Sequence, residues 1–227
     1  MIAGERFEAG GRTLSCRWTA ATDAVAVAVV APGAGSDLDA PFLAGVAESL
    51  AAQGVSAFRF NFPYKEEGRG SPDRPPVLME AWRGALAEAA RLGGDLPLIA
   101  SGKSMGGRMA TMVAATDGEG FAARAVVLIG YPLHAPGRPD KLRDEHLPDV
   151  RVPMLFIQGT RDPLATFDLI ERTVASLPNA TLEVAEGADH SFRVKGARRP
   201  DLDIGQDLGA LAARWIRAEV TASKAVS

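Results

Sequence analysis

A single cysteine, Cys16, in 227 residues excludes an internal disulfide and suits a reducing compartment. Long apolar runs are also missing: nothing approaches the ~20 consecutive residues that a membrane-spanning helix needs. The opening residues, MIAGERFEAGGR, lack the basic segment and apolar core of a secretory signal. Charge of one sign is absent as well. Against 28 Asp and Glu stand 25 Lys and Arg, a net charge of −3, so neither nucleic acid nor an anionic membrane has an electrostatic reason to bind. The cytoplasm is the expected location. Histidine is scarce: any chemistry that needs an imidazole must choose among His134, His146 and His190.

What is present is ordinary for a globular chain, 47% hydrophobic and 23% charged, with no internal repeat, low-complexity tract or linker. The length supports one substantial core and is short for two, so residues 1–227 are expected to form a single domain. Residues 1–23 read as an edge hairpin around Ala9-Gly10-Gly11, residues 24–220 as the core, and residues 221–227 as a disordered tail. The run Ala24–Ala31, AVAVAVVA, is apolar without a break, as in a strand buried on both faces of a parallel sheet. Further strands are expected at Val55–Phe60, in the apolar run from Leu96 that stops at Gly102, and at Ala125–Ile129, Pro153–Gln158 and Ala180–Ala185. Between and after them, apolar spacing predicts helices after Asp37 or Asp39 (either a candidate cap), over Val77–Leu92, from Arg108 to Ala115, over Phe167–Leu177 and over Leu202–Val220. Asn61–Pro76 reads as a polar loop. Strand and helix therefore alternate. The fold class is α/β, a mostly parallel sheet flanked by helices on both faces in three layers. In such a sheet, ligands bind where the loops leave the C-terminal strand ends.

The stretch with the most chemistry is LPLIASGKSMGGRMAT. Its apolar run stops at Gly102-Lys103-Ser104-Met105-Gly106, and helix-forming residues follow. Strand, glycine-flanked turn and helix are the setting that gives G-x-S-x-G meaning, because the turn lifts the serine out of the strand end. Gly102-Lys103-Ser104 also ends like a phosphate-binding loop. That motif, however, needs a glycine where Pro97 stands and an open loop where a strand is expected.

A serine hydroxyl needs a base to take its proton. His134 and His146 lie in a connection rich in proline and charge and read as solvated loop residues. His190 follows the last strand, in Glu186-Gly187-Ala188-Asp189-His190-Ser191-Phe192, on the same edge as Ser104. A partner must orient that imidazole. Asp162, just after the strand MLFIQ, fits this role, whereas Asp189 adjoins the histidine and reads as a turn former. Ser104, Asp162 and His190 thus occur in the chain order Ser…Asp…His, each after a strand. Two backbone donors are expected for the developing oxyanion, the N–H groups of Met105 and Ala34, the latter in Gly33-Ala34-Gly35. Gly33, Gly35, Lys103 and Tyr131 are candidate substrate contacts. Lys103, with Lys65, Arg69 and Arg161 nearby, is a candidate for meeting an anionic acyl group. Solvated or ion-paired cations are the preferred reading, given Glu66, Glu67, Asp73 and Asp189 in the same loops.

From about Ala24 to Val220, PGAGSD, FRFNFPY, GKSMGGRMA, GYPLH, LFIQGTRDPL and GADHSF together resemble the α/β-hydrolase superfamily. More narrowly, the chain is similar to the small, lidless bacterial group akin to dienelactone hydrolase-like proteins. The resemblance implies hydrolysis of an ester, thioester or related acyl bond of a small-molecule substrate, with no cofactor and no metal. Some relatives serve instead as non-enzymatic subunits, so a scaffold is the competing expectation. The chain departs from the best-known members at three points. Ser104 stands where dienelactone hydrolases proper use cysteine. Pro32-Gly33-Ala34-Gly35 replaces the HGGG-type loop of lipases. The Tyr131–Arg151 connection is too short for a lid domain, which leaves an open pocket poorly suited to long-chain triglyceride.

Overall fold

Alternation within β3 (Ala26–Ala31) sets the layout. All six residues are buried, Val27, Val29 and Ala31 entering one apolar cluster and Ala26, Ala28 and Val30 the other. Successive side chains of a strand point to opposite faces, so a strand covered on both faces must be apolar throughout. In the computed structural model, which describes residues 5–224, β3 lies within an eight-stranded sheet. The other strands are β1 (Glu5–Ala9), β2 (Arg12–Thr19), β4 (Val55–Phe60), β5 (Leu98–Lys103), β6 (Ala125–Ile129), β7 (Met154–Gly159) and β8 (Ala180–Ala185). Their order is β1-β2-β4-β3-β5-β6-β7-β8. The β1–β2 hairpin joins antiparallel at one edge, and every pairing from β4 to β8 is parallel. This is the α/β-hydrolase fold.

Helices cover both faces. Residues of α3 (Pro75–Gly93), α4 (Met105–Asp117) and α5 (Phe167–Ala175) pack into the first cluster. Those of α1 (Pro41–Ala52) and α6 (Asp201–Lys224) pack into the second. These last two helices cross backbone to backbone: a Cβ at Gly205 would collide with the Phe42 carbonyl oxygen, and one at Gly45 with that of Leu202. No helix among the described residues is long and apolar enough to cross a membrane.

Three local expectations are corrected. Neither Asp37 nor Asp39 caps α1, whose N-cap is Ala40. Asp37 accepts the Asp39 N–H and Asp39 pairs with Arg17 at 2.9 Å, while Pro41 starts the helix with φ already fixed. The polar stretch after β4 holds a short helix, α2 (Pro63–Glu66), and Pro75 and Pro76 occupy the first turn of α3 rather than its approach. Residues 221–224, expected to begin a disordered tail, continue α6, and residues 225–227 lie outside the described ones. The connection from Tyr131 to Arg151 contains only the 3-10 turn Leu147–Asp149, so no large lid domain is inserted there.

Candidate functional site

Ser104 stands between the end of β5 and the start of α4 with φ 50° and ψ −117°. Positive φ is costly for a residue with a Cβ, of the order of 1–3 kcal/mol, and such strain persists only where neighbours hold it. Here the hold is visible. The Ser104 N–H donates to the Ile129 carbonyl at 3.0 Å, and its own carbonyl accepts from Arg108 N–H at 3.0 Å. The Trp82 indole N–H donates to the Gly106 carbonyl at 3.0 Å. Gly106 is required by space as much as by flexibility: a Cβ there would lie 2.6 Å from the Pro32 carbonyl oxygen. The elbow is thereby pressed against the loop that follows β3.

From this turn a hydrogen-bonded series runs across the sheet edge. The Ser104 hydroxyl is 2.9 Å from His190 Nε2, and His190 Nδ1 is 2.7 Å from Asp162 Oδ2. With the carboxylate accepting from Nδ1–H, Nε2 is the nitrogen left to accept the serine proton. Asp162 is almost fully enclosed, its side chain 1% exposed. Its oxygens accept from Gln158 Nε2 at 2.7 Å and from the Leu164 N–H at 2.8 Å besides the imidazole. Such a carboxylate has donors on both oxygens and little freedom to turn. Asp189, the rejected alternative, accepts the N–H groups of Ser191 and Arg193 and so forms the turn that presents His190.

Ser104 and His190 open on a cleft of about 380 Å³ between the loop after β3, the start of α1 and the His190 loop. Gly33 and Ala34 line it on one side; Phe42, Leu43 and Leu164 give it an apolar wall. Among the described residues, neither the Ala34 N–H nor that of Met105, in the first turn of α4, is taken up by another protein group. Both donors flank Ser104 in the chain or across the cleft.

Two of the other expected contacts, Tyr131 and Gly35, fall elsewhere, whereas Lys103 lines the cleft. Tyr131 is 1% exposed, inside the first apolar cluster, and its hydroxyl donates to the Arg143 carbonyl at 2.6 Å. Its position just after β6 suggested the sheet edge, but an aromatic side chain there gains more by burial than by facing the cleft. Gly35 does not line the cleft. Its N–H donates to the Tyr64 hydroxyl at 3.1 Å and its carbonyl accepts from Lys65. Arg69 is ion-paired, as expected, with Glu67 and Asp73. Lys103 is part-buried, and its ammonium is paired with no acid among the described residues. Its ammonium donates to the His190 carbonyl at 2.6 Å and lies 5.4 Å from the centre of the Phe192 ring. Burial lowers its pKa to about 8, against the pull of Asp162 and Asp189.

Neither of the other histidines is a solvated loop residue. His134 is 2% exposed, its Nδ1–H meeting the Ala135 carbonyl at 2.9 Å while Nε2 accepts the Thr166 N–H at 2.9 Å. His146 shares a 2.8 Å hydrogen bond with Thr111, and burial, with Arg108 nearby, lowers its pKa to about 4. Hydrophilic neighbours in sequence misled here, because both rings fold back onto α4 or the start of α5. Gln158 and Leu164, which hold Asp162, were not among the expected site residues. A glutamine at the end of an otherwise apolar buried strand was the available signal for the first. For the second it was the Asp-x-Leu spacing of a turn in which a carboxylate accepts an N–H two residues on.

A family model described as an alpha/beta hydrolase domain matches residues 24–216. Among solved structures, a dienelactone hydrolase from Anabaena variabilis is 25% identical, with 95% of this chain and 96% of that one covered and a TM-score of 0.76. A serine hydrolase without a lid from Xanthomonas campestris is 21% identical over 94% of each chain, with a TM-score of 0.70. Est1E from Butyrivibrio proteoclasticus shares the fold at 12% identity, covering 96% of this chain and all of its own, with a TM-score of 0.72.

Proposed function

The chain belongs to the α/β-hydrolase family, and from that membership we propose that it is a serine hydrolase cleaving an ester or thioester of a small acyl substrate. The observation that carries the proposal is the unbroken series Ser104–His190–Asp162, with hydrogen bonds of 2.9 and 2.7 Å. Ser104 Oγ attacks the acyl carbon as His190 Nε2 takes its proton. Asp162 holds the ring in the tautomer that leaves Nε2 free and favours the imidazolium as it forms. The oxyanion meets the N–H groups of Ala34 and Met105, each such donor contributing about 3 kcal/mol of transition-state stabilisation. His190 then protonates the leaving group and activates a water that releases the acyl group from Ser104.

The cleft supports the substrate class. Its apolar wall of Phe42, Leu43 and Leu164 suits a hydrocarbon acyl group, and its volume of about 380 Å³ favours a short one. The absence of a lid insertion between Tyr131 and Arg151 leaves it open to small soluble esters. The similar dienelactone hydrolase from Anabaena variabilis supports a small-molecule substrate as well. A cytoplasmic location rests on the one cysteine, Cys16, which is buried and free.

The test is hydrolysis of short p-nitrophenyl esters and acyl thioesters of graded length, with covalent labelling by a fluorophosphonate probe. Wild type is expected to turn over and to label. Ser104→Ala is expected to lose both while keeping its melting temperature. A wild-type chain that neither labels nor turns over is a non-catalytic scaffold, and turnover unchanged in Ser104→Ala removes Ser104 from the reaction.

A further inference from the structure

We propose that Lys103 is a positioning residue, a strap from the nucleophile elbow that fixes the loop carrying His190. The inference rests on the serine-hydrolase reading and deepens it.

Ser104 and His190 sit on different strand ends, and β6 and β7 separate β5 from β8 in the sheet. The imidazole is held by its Asp162 bond, but the backbone behind it needs its own anchor. Lys103 reaches that backbone from the residue next to Ser104. Its ammonium donates to the His190 carbonyl at 2.6 Å and lies 5.4 Å from the centre of the Phe192 ring. The lysine stem passes Gly33 and ends over Gly130. A Cβ on Gly130 would sit 2.9 Å from Lys103 Nζ, 3.2 Å from the Phe192 ring and 3.7 Å from His190 Cε1. Four loops therefore meet along one lysine side chain, the Gly33 loop at its stem and the Gly130 and His190 loops at its ammonium.

The loop itself shows why an anchor is wanted. Phe192 has φ 61°, a region that bulky residues rarely enter and that persists only when surroundings over-determine it. Its ring is held from two sides, by the Lys103 ammonium and by stacking on Phe42 at 6.3 Å between centroids. Lowering of the Lys103 pKa to about 8 by burial shows that the position works against the charge, so the contacts it makes there must repay keeping it. Those contacts are a carbonyl and an aromatic face, both on the His190 loop, and no carboxylate is among them. Although Lys103 lines the cleft, its ammonium is turned to the His190 loop, which describes a fastening within the protein rather than a receptor for substrate charge.

The experiment compares wild type, Lys103→Met and Lys103→Arg on a neutral short ester and on its carboxylate-bearing analogue, alongside the His190 ring signal in proton NMR. Lys103→Met is expected to lower kcat at least tenfold on both esters, with KM within twofold. The His190 signal, assigned by its loss in His190→Gln, is expected to shift and broaden. Lys103→Arg, which keeps a cation with N–H donors, is expected to recover most of the lost kcat. Loss confined to the anionic ester and expressed in KM would overturn the proposal in favour of a substrate ligand. So would an unmoved His190 signal, which reads the strap even if wild type hydrolyses no ester and the hydrolase reading fails on its own. Should Lys103→Met not fold, Phe192→Leu removes the ring under the ammonium. The same signal must then shift, or the proposal falls.

Discussion

Gln158 and His190 share one acceptor: the Gln158 amide donates to Asp162 Oδ2 at 2.7 Å, and the same oxygen is 2.7 Å from His190 Nδ1. Gln158 is the penultimate residue of β7, whose every residue is buried, and its own Oε1 is buried without a partner among the described residues. An unpaired buried carbonyl costs free energy, so its retention points to the work done by the amide. That work is to turn the carboxylate toward the ring.

Gln158→Leu should therefore lower kcat by about tenfold, since losing a hydrogen bond to a charged group removes about 1.5 kcal/mol or more. Steady-state kinetics with a short ester checks this, with KM expected to change little. Equal kcat in variant and wild type would mean that Leu164 N–H and the imidazole suffice to orient Asp162.

Strain at Ser104 gives a prediction in stability rather than rate. Ser104→Gly should raise the stability by about 1 kcal/mol, because glycine enters the positive-φ region without a Cβ penalty and this outweighs its extra unfolded-state entropy. Ser104→Ala keeps the Cβ and should melt as wild type does. Differential scanning calorimetry separates the two, and a glycine variant melting below the alanine variant would show that the turn is not strained.

Gly106→Ala should disturb both stability and activity. The added Cβ would lie 2.6 Å from the Pro32 carbonyl and 2.7 Å from that of Ala31. Those are backbone atoms, with no flexible side chain to move aside, so a cost of about 3 kcal/mol is expected. Urea unfolding measures the first effect. Rate loss in the remaining folded protein measures how far the elbow has been pushed from the Ala34 N–H.

His146 predicts a slope of stability with pH. Its folded pKa, about 4, lies below the ordinary 6.5 because burial, helped by Arg108, disfavours the imidazolium. Between those values the unfolded chain binds the proton and the folded one does not. Its contribution is thus fully present above about 6.5 and is lost as pH falls toward 4. His146→Gln should flatten the melting temperature over that window. An unchanged slope would assign the acid sensitivity to other groups.

The elements were legible where one periodicity ruled. Val55–Phe60, Ala125–Ile129 and Ala180–Ala185 form strands at the boundaries expected from the sequence. The elbow was readable because glycines packed around a serine leave few alternatives. Errors gathered where polarity along the chain was taken for exposure. His134, His146, Tyr131 and Lys103 all lie near charged or turn-forming neighbours in sequence, yet each is enclosed by elements distant in the chain.

The sequence alone determined which residues end each strand, and therefore that Ser104, Asp162 and His190 would share one edge of a parallel sheet. That follows from chain direction and needs no contact between side chains. Only the tertiary structure decided the rest: the 2.9 and 2.7 Å spacing, the Gln158 and Leu164 donors on Asp162, and the placing of the Lys103 ammonium over the Phe192 ring. Distances between side chains depend on how the loops pack on one another, and no local pattern along the chain encodes that packing.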